Sequence, residues 1–223
     1  LAIRPDFIEA IDNKGCFLNA MGHYKAACDC FNAVLRIYPR DSMALANISV
    51  ALRHLGEFAL ATSYAKTLLK INPRDYKGHS TLGKISSKLE EHESALSHFL
   101  NAISFNPKDP DTLADLGATY ADLGNFELAK QYFKQALTIN PEHGASHLGL
   151  GSMHHDLRDF DQALKYFSAP IQDKYRLTSR EYNRALSQLH AGNLLEGWSE
   201  YSWRWKENDR SIPYLQTKNL LWE

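Results

Sequence analysis

The sequence predicts an all-α solenoid of about six helix–turn–helix repeats. Four prolines stand 34 residues apart, and each follows a similar phrase, RIYP, KINP, SFNP or TINP: Pro39, Pro73, Pro107 and Pro141. A fixed period of roughly 20 to 50 residues is the signature of a repeat architecture. Between the prolines, apolar residues recur at helical spacing, which predicts amphipathic helices with one buried face.

The clearest copy of the repeat covers residues 111–141 and predicts two helices. Gly124 suits a left-handed cap after the first helix. Asn140-Pro141 ends the second, because a residue before proline is driven out of the α region. Gly117 and Ala129 are small where the helices are expected to cross, so that the backbones can approach. A pair of helices this short cannot bury both of its faces alone, and neighbouring helix pairs must therefore stack.

Alignment on the prolines divides the chain into repeats with two departures. Glu90 replaces the turn glycine of repeat three, and Pro170 predicts that the second helix of repeat five ends or kinks about a turn early. Residues 1–177 hold repeats one to five, and residues 178–207 form an atypical Trp-rich terminal repeat. Residues 208–223 form a short irregular tail, which is interpreted as the truncated connection to a missing downstream domain. The repeats are Ile8–Asp41, Ser42–Asp75, Tyr76–Asp109, Pro110–His143, Gly144–Leu177 and the stretch from Thr178.

Composition narrows the classes of partner. The net charge of −1 argues against nucleic-acid or membrane-surface binding across the whole sequence. No apolar run approaches the roughly 18 residues of a membrane span. Three cysteines do not make a disulfide framework, so reduced thiols and a cytoplasmic location are expected.

Repeats one to five resemble tetratricopeptide repeats. Repeat three shows the pattern with Leu82-Gly83, Ala95, Phe99, Ala102 and Pro107. The resemblance implies a right-handed superhelical solenoid whose first helices line a concave groove. Such a groove suits a protein partner or an extended peptide.

The terminal repeat carries a second resemblance. Its segment NRALSQLHAGNLLEGWSEYSWRW, with the phrase Gly197 to Trp205, is similar to the last repeat of bacterial proteins that join tetratricopeptide repeats to a glycosyltransferase-like domain. This implies that the chain recruits a substrate or partner for a catalytic domain that it does not contain. The alternative is a stand-alone adaptor or assembly scaffold with no enzymatic domain.

The resemblance also implies which residues face the groove, namely positions 2, 5, 6, 9, 12 and 13 of each repeat. O-linked N-acetylglucosamine transferases use asparagine at position 6 to hold a peptide backbone, and this chain has asparagine there in three repeats. The lysines of repeat three fit either an anionic partner or a solvated face. The groove candidates are Asn13, Asn47, Arg53, Lys77, Lys84, Lys88, Asp115, Asp122, His155 and Asn183.

No catalytic pattern, cofactor motif or metal-ligand spacing stands out, so the chain is expected not to be an enzyme by itself. A histidine cluster in repeat five is interpreted as structural or incidental: His143, His147, His154 and His155. Aromatic side chains at the C-terminal end favour an interface, because each buries a large apolar area. Its partner would be the downstream catalytic domain in cis, or a second copy. These candidates are Trp198, Tyr201, Trp203 and Trp205.

Overall fold

The computed structural model describes residues 5–171 and 177–201, and these residues form helices joined by short turns. Within these ranges the first helices of the six repeats are α1, α3, α5, α7, α9 and α11, and the second helices are α2, α4, α6, α8, α10 and α12. Their bounds are α1 Pro5–Ala20, α2 Tyr24–Ile37, α3 Ser42–His54, α4 Phe58–Ile71, α5 Tyr76–Lys88, α6 His92–Phe105, α7 Pro110–Asp122, α8 Phe126–Ile139, α9 Gly144–Asp156, α10 Phe160–Phe167, α11 Leu177–His190 and α12 Leu194–Glu200.

Helices α3, α5, α7 and α9 begin where repeats two to five were predicted to begin. In three of these four helices, the residue just before the first turn explains why the helix begins there. Asp41, Asp75 and Asp109 each accept a hydrogen bond from the backbone N–H three residues ahead, at 2.8, 3.1 and 3.1 Å. A carboxylate satisfies an otherwise unpaired N–H of the first turn and favours the positive end of the helix dipole.

The turns between the two helices of a repeat need a left-handed residue. Gly124 adopts a φ of 75°, as predicted. In repeats three and five the same turn places Glu90 at 61° and Arg158 at 58°. Only glycine adopts this region without a steric penalty, so these two side chains strain the backbone.

In most repeats a glycine of the first helix packs against a phenylalanine of the second, a contact that we call the lock. A Cβ atom on Gly117 would lie 2.8 Å from the ring of Phe133, so the ring occupies the space above the glycine. The missing side chain of Gly117 therefore makes room for a ring of the partner helix. Repeat two replaces both members by Ser49 and Ala65, each fully buried. The other locks are Gly15–Phe31, Gly83–Phe99 and Gly151–Phe167.

The chain divides into two compact units, residues 1–140 and 141–223. In the N-terminal unit α2 packs against α3, α4 against α5 and α6 against α7, and consecutive first helices touch one another. In the C-terminal unit α9 packs against α10, α10 against α11, and α11 against α12. This stacking of helix pairs within each unit confirms the all-α repeat architecture.

Helix α10 is shorter than predicted. It has 8 residues, whereas α8 of the preceding repeat has 14. Pro170 has no N–H to donate and disfavours the α conformation of the residue before it, so the helix stops at Phe167. The loss is nearly two turns rather than one. The predicted tail, 208–223, lies outside the described residues.

Candidate functional site

A repeated contact joins consecutive first helices. The residue at position 9 of one repeat meets the residue at position 6 of the next. In repeats one and two, Asn47 donates to the sulfur of Cys16 at 3.3 Å. In repeats five and six, the Asn183 amide lies 3.5 Å from the Ser152 hydroxyl. These two asparagines, predicted to hold a peptide backbone, are thus partly engaged by the neighbouring repeat, whereas Asn13 is exposed.

The third contact between position 9 of one repeat and position 6 of the next is an ion pair. Lys84 Nζ lies 3.2 Å from Asp115 Oδ2, which joins α5 to α7. Two predicted groove residues of opposite charge therefore meet. Their charges partly neutralise each other, and only part of each side chain remains exposed.

A second contact links position 12 of one repeat to position 10 of the next. Ser87 and Thr119 bring their hydroxyls within 3.4 Å. Arg53 also stands at position 12, but position 10 of the next repeat is Ile85, an apolar residue only 4% exposed. Arg53 Nε is buried and has no hydrogen-bond partner in the described part of the chain.

Arg53, Lys84 and Asp115 form what we call the charged face, with one residue each from α3, α5 and α7. Burial lowers the pKa of Arg53, and the negative charge of Asp115 opposes that shift. A guanidinium stays protonated in proteins, so a partly desolvated positive charge remains on this face. The structure thus brings three of the predicted groove residues together on one side of the N-terminal unit.

His54 borders the charged face and is uncharged at neutral pH. Its ring stacks in parallel on Tyr24, with centroids 4.4 Å apart. Arg53 donates to His54 Nε2 at 2.7 Å, which requires a lone pair on that nitrogen. Burial, then the positive charges of Arg53 and Lys84, lower the pKa of His54 to about 4.

Three further candidates, Lys77, Lys88 and Asp122, are exposed. A buried carboxylate, that of Asp12, lies near Lys77. Asp12 is 9% exposed, and its Oδ1 has no partner among the described residues. Burial and the charge of Asp41 raise the pKa of Asp12, while Lys77 acts in the opposite direction.

In the C-terminal unit, the predicted residue His155 lines a cavity of about 330 Å³, which we call the imidazole pocket. Its other lining residues are Asp156, Arg158, Phe160 and His190. A neighbouring cavity of about 250 Å³ includes Asn183. No group of three or more potential metal ligands occurs within residues 5–171 and 177–201.

Two histidines of the predicted cluster have structural contacts, as expected. His147 Nε2 lies 2.8 Å from the carbonyl oxygen of Pro141. His154 stacks against Tyr166 and lies 3.1 Å from a carboxylate oxygen of Asp159. Both rings face α10 and are buried, so they support the packing of repeat five.

The C-terminal end exposes an apolar surface. Trp198 is 63% exposed and Leu195 83%. Tyr201 packs edge-on against the Trp198 ring, with centroids 5.4 Å apart. Arg184 of α11 holds α12 through two hydrogen bonds to the Glu200 carboxylate, at 2.9 and 3.0 Å. The other two candidates, Trp203 and Trp205, lie outside the described residues.

Comparison with known families agrees with this geometry. Residues 18–76 and 110–143 match family models described as tetratricopeptide repeat. These two stretches are tetratricopeptide repeats. Repeats of this architecture present stacked helices to protein or peptide partners, as a protein-interaction scaffold does. Among the described residues, no helix is long and apolar enough to cross a membrane.

Solved structures show the same fold. A thermophilic tetratricopeptide protein of Thermus thermophilus is 24% identical, with a TM-score of 0.67 over 87% of this chain and 97% of that one. A tetratricopeptide protein from Parabacteroides merdae is 19% identical, with a TM-score of 0.65 over 92% and 81%. A chain of the APC/C hetero-tetramer Cut9–Hcn1 reaches 0.83 at 16% identity, over 92% and 41%. No curated protein sequence matches the chain. At these identities the likeness establishes the fold alone.

Proposed function

We propose that the charged face of the N-terminal unit binds a segment of a partner protein that carries an acidic side chain. The observation behind this concerns Arg53, a partly buried cation at position 12 of repeat two. The residue opposite it on the next first helix is Ile85, which is apolar and offers no hydrogen-bond acceptor. Every other contact of that kind described above joins two polar groups. A partner carboxylate would pair with the part of this half-buried guanidinium that faces solvent.

The chemistry of the surrounding residues supports this choice. A guanidinium presents several N–H groups in a fixed plane and can bind a carboxylate through two parallel hydrogen bonds. Lys84 lies on the next first helix and adds a second positive charge, although Asp115 offsets part of it. Hydrogen bonds to charged groups contribute about 1.5–3 kcal/mol each. The exposed Lys77 and Lys88 would contact the flanks of the same segment.

The test is selection from a soluble library of short peptides, followed by fluorescence polarisation on the enriched sequences. We expect acidic peptides to be enriched. Arg53→Glu should weaken their binding at least tenfold, about 1.4 kcal/mol or more. Arg74→Glu provides the matched control, because Arg74 is exposed and lies in a turn away from the charged face. Equal binding by wild type and the Arg53 variant would overturn the proposal.

We propose further that this scaffold recruits its partner for a glycosyltransferase-like domain. The support is the sequence of the terminal repeat from Gly197 to Trp205, together with the exposed Trp198 and Leu195 on α12. A contiguous apolar surface of this kind marks a contact with another domain or protein. The gene sequence downstream of Glu223 tests this, since an α/β domain of nucleotide-sugar type is expected there and any other continuation would contradict it.

The alternative function is a stand-alone adaptor that uses the same apolar surface to bind a partner or a second copy. The exposed position of Trp198 favours it equally. Light scattering separates the two ideas. A dimer that Leu195→Ser and Trp198→Ser convert to monomer would favour the adaptor, and a monomer throughout would count against self-association. Both versions of the proposal place the protein in the cytoplasm.

A further inference from the structure

A network of hydrogen bonds in the C-terminal unit fixes the tautomer of His155. The Ser187 hydroxyl donates to the carbonyl oxygen of Asn183 at 2.9 Å. Its single proton is thereby used, so it must accept from His155 Nδ1–H, 2.7 Å away. The neutral ring then carries its lone pair on Nε2.

That lone pair faces a second imidazole. His190 Nδ1 of α11 lies 3.2 Å from His155 Nε2 of α9. Phe160 packs against both rings, at centroid distances of 5.5 and 5.8 Å, and helps to hold them in place. Two metal–nitrogen bonds of about 2.0–2.1 Å at a tetrahedral angle would place the nitrogens about 3.3 Å apart. The observed separation therefore matches the spacing of two histidines that share one metal ion.

The environment also suits metal binding. Metal-bound histidines commonly donate their other ring N–H to a neighbouring acceptor, and Ser187 takes that role here. The pocket of about 330 Å³ leaves room for water, and its wall carries both Asp156, whose negative charge favours a cation, and Arg158, whose positive charge opposes it.

We propose that His155 Nε2 and His190 Nδ1 bind one divalent transition-metal ion, with water in the remaining coordination positions. Two imidazole ligands select ions such as Zn²⁺, Ni²⁺ or Cu²⁺ over Mg²⁺ and Ca²⁺, which prefer oxygen. The site belongs to the C-terminal unit and is independent of the charged face. Its partners come from two repeats, so a bound ion would join α9 to α11.

Isothermal titration of the metal-free, reduced full chain with Zn²⁺ tests the site. We expect one equivalent to bind, and His190→Gln to weaken that binding at least tenfold. His190 is exposed, so this substitution should leave the fold intact, which circular dichroism checks. His23→Gln is the matched control, because His23 is an exposed histidine of the N-terminal unit. It should bind Zn²⁺ as the wild type does, and Mg²⁺ should produce no binding heat.

Nuclear magnetic resonance of the ring nitrogens supplies a second, local measurement. Zn²⁺ should shift the resonances of His155 Nε2 and His190 Nδ1 and leave that of His155 Nδ1 in its hydrogen-bonded, protonated form. Binding that is unchanged in the His190 variant would assign the ion to other histidines or thiols and overturn the proposal. Failure of the wild type to bind Zn²⁺ would do the same, and would leave only a hydrogen bond between the two rings.

Discussion

The N-terminal and C-terminal units place different chemistry at the same repeat positions. Position 12 is Arg53 in repeat two and His155 in repeat five, while position 9 is Lys84 in repeat three and Ser152 in repeat five. The first unit therefore offers full charges, whose attraction for a ligand weakens with added salt. The second offers imidazole rings and hydroxyls, whose proposed metal binding depends on proton and metal concentration. The comparison shows that recognition residues vary while the helix pairs that carry them stay the same.

Repeats four and five, one in each unit, share the same packing beneath these faces. Phe133 over Gly117 and Phe167 over Gly151 form the same lock in both units. The helix that carries Phe167, however, is the shortened α10. Whether the lock contributes equally in both units is therefore open to direct measurement.

The largest effect is expected from removing the rings. Phe133→Ala and Phe167→Ala should each lower the free energy of unfolding by about 3–5 kcal/mol, because a fully buried ring is replaced by a cavity. Urea denaturation followed by far-UV circular dichroism measures the loss. Leu123→Ala and Leu157→Ala are matched controls from the two units, since both leucines are about half exposed, and each should change stability by no more than about 0.5 kcal/mol. A loss below about 1 kcal/mol for Phe167→Ala alone would show that the lock contributes less to stability in the C-terminal unit than in the N-terminal unit.

A smaller effect is expected at the strained turns, one in each unit. Glu90→Gly and Arg158→Gly should each raise the free energy of unfolding by about 0.5–1 kcal/mol, because glycine relieves the left-handed conformation while adding some entropy to the unfolded chain. Gly124→Ala provides the reverse test and should lower stability by about 1 kcal/mol. Chemical denaturation reports all three. A stability loss in either glycine variant would show that the side chain makes a compensating contact.

The smallest effect distinguishes the histidines of the two faces. The native pKa of His54, about 4, lies below the ordinary 6.5, so its stabilising contribution is complete above pH 6.5 and is lost as the pH falls towards 4. Arg53→Gln should raise the pKa of His54 because it removes a nearby positive charge. The pKa of His155 should not move, since its shift comes from burial and then from His190. A pH titration followed by nuclear magnetic resonance checks both, and a His54 pKa that stays near 4 would assign the shift to burial and Lys84 rather than to Arg53.

The sequence was sufficient to predict the helix pairs because their signals are local. The proline period located the repeats, and α3, α5, α7 and α9 begin at the predicted residues. Gly124 adopts the left-handed turn expected of it. The strained turn at Arg158 was not predicted, because an arginine there carries no visible signal of a positive φ.

The contacts between repeats could not be predicted from the period. Asn47 meets Cys16, 31 residues earlier, and Ser187 meets His155, 32 residues earlier. Both separations fall short of the 34-residue period, because neighbouring first helices meet at an offset. That offset depends on how the helices pack, which no single residue encodes. For the same reason, the pairing of Lys84 with Asp115 and the meeting of His155 with His190 were not foreseen.

The lock between glycine and phenylalanine has a consequence for how such a chain can change over generations. Both members, such as Gly117 and Phe133, fall within a single 34-residue repeat. Recombination at the repeat boundaries would therefore move each lock as an intact cassette. Duplicated cassettes could then acquire new side chains at positions 6, 9 and 12 without losing the packing that keeps each pair folded. Selection for a new partner and selection for folding would act on separate sets of residues.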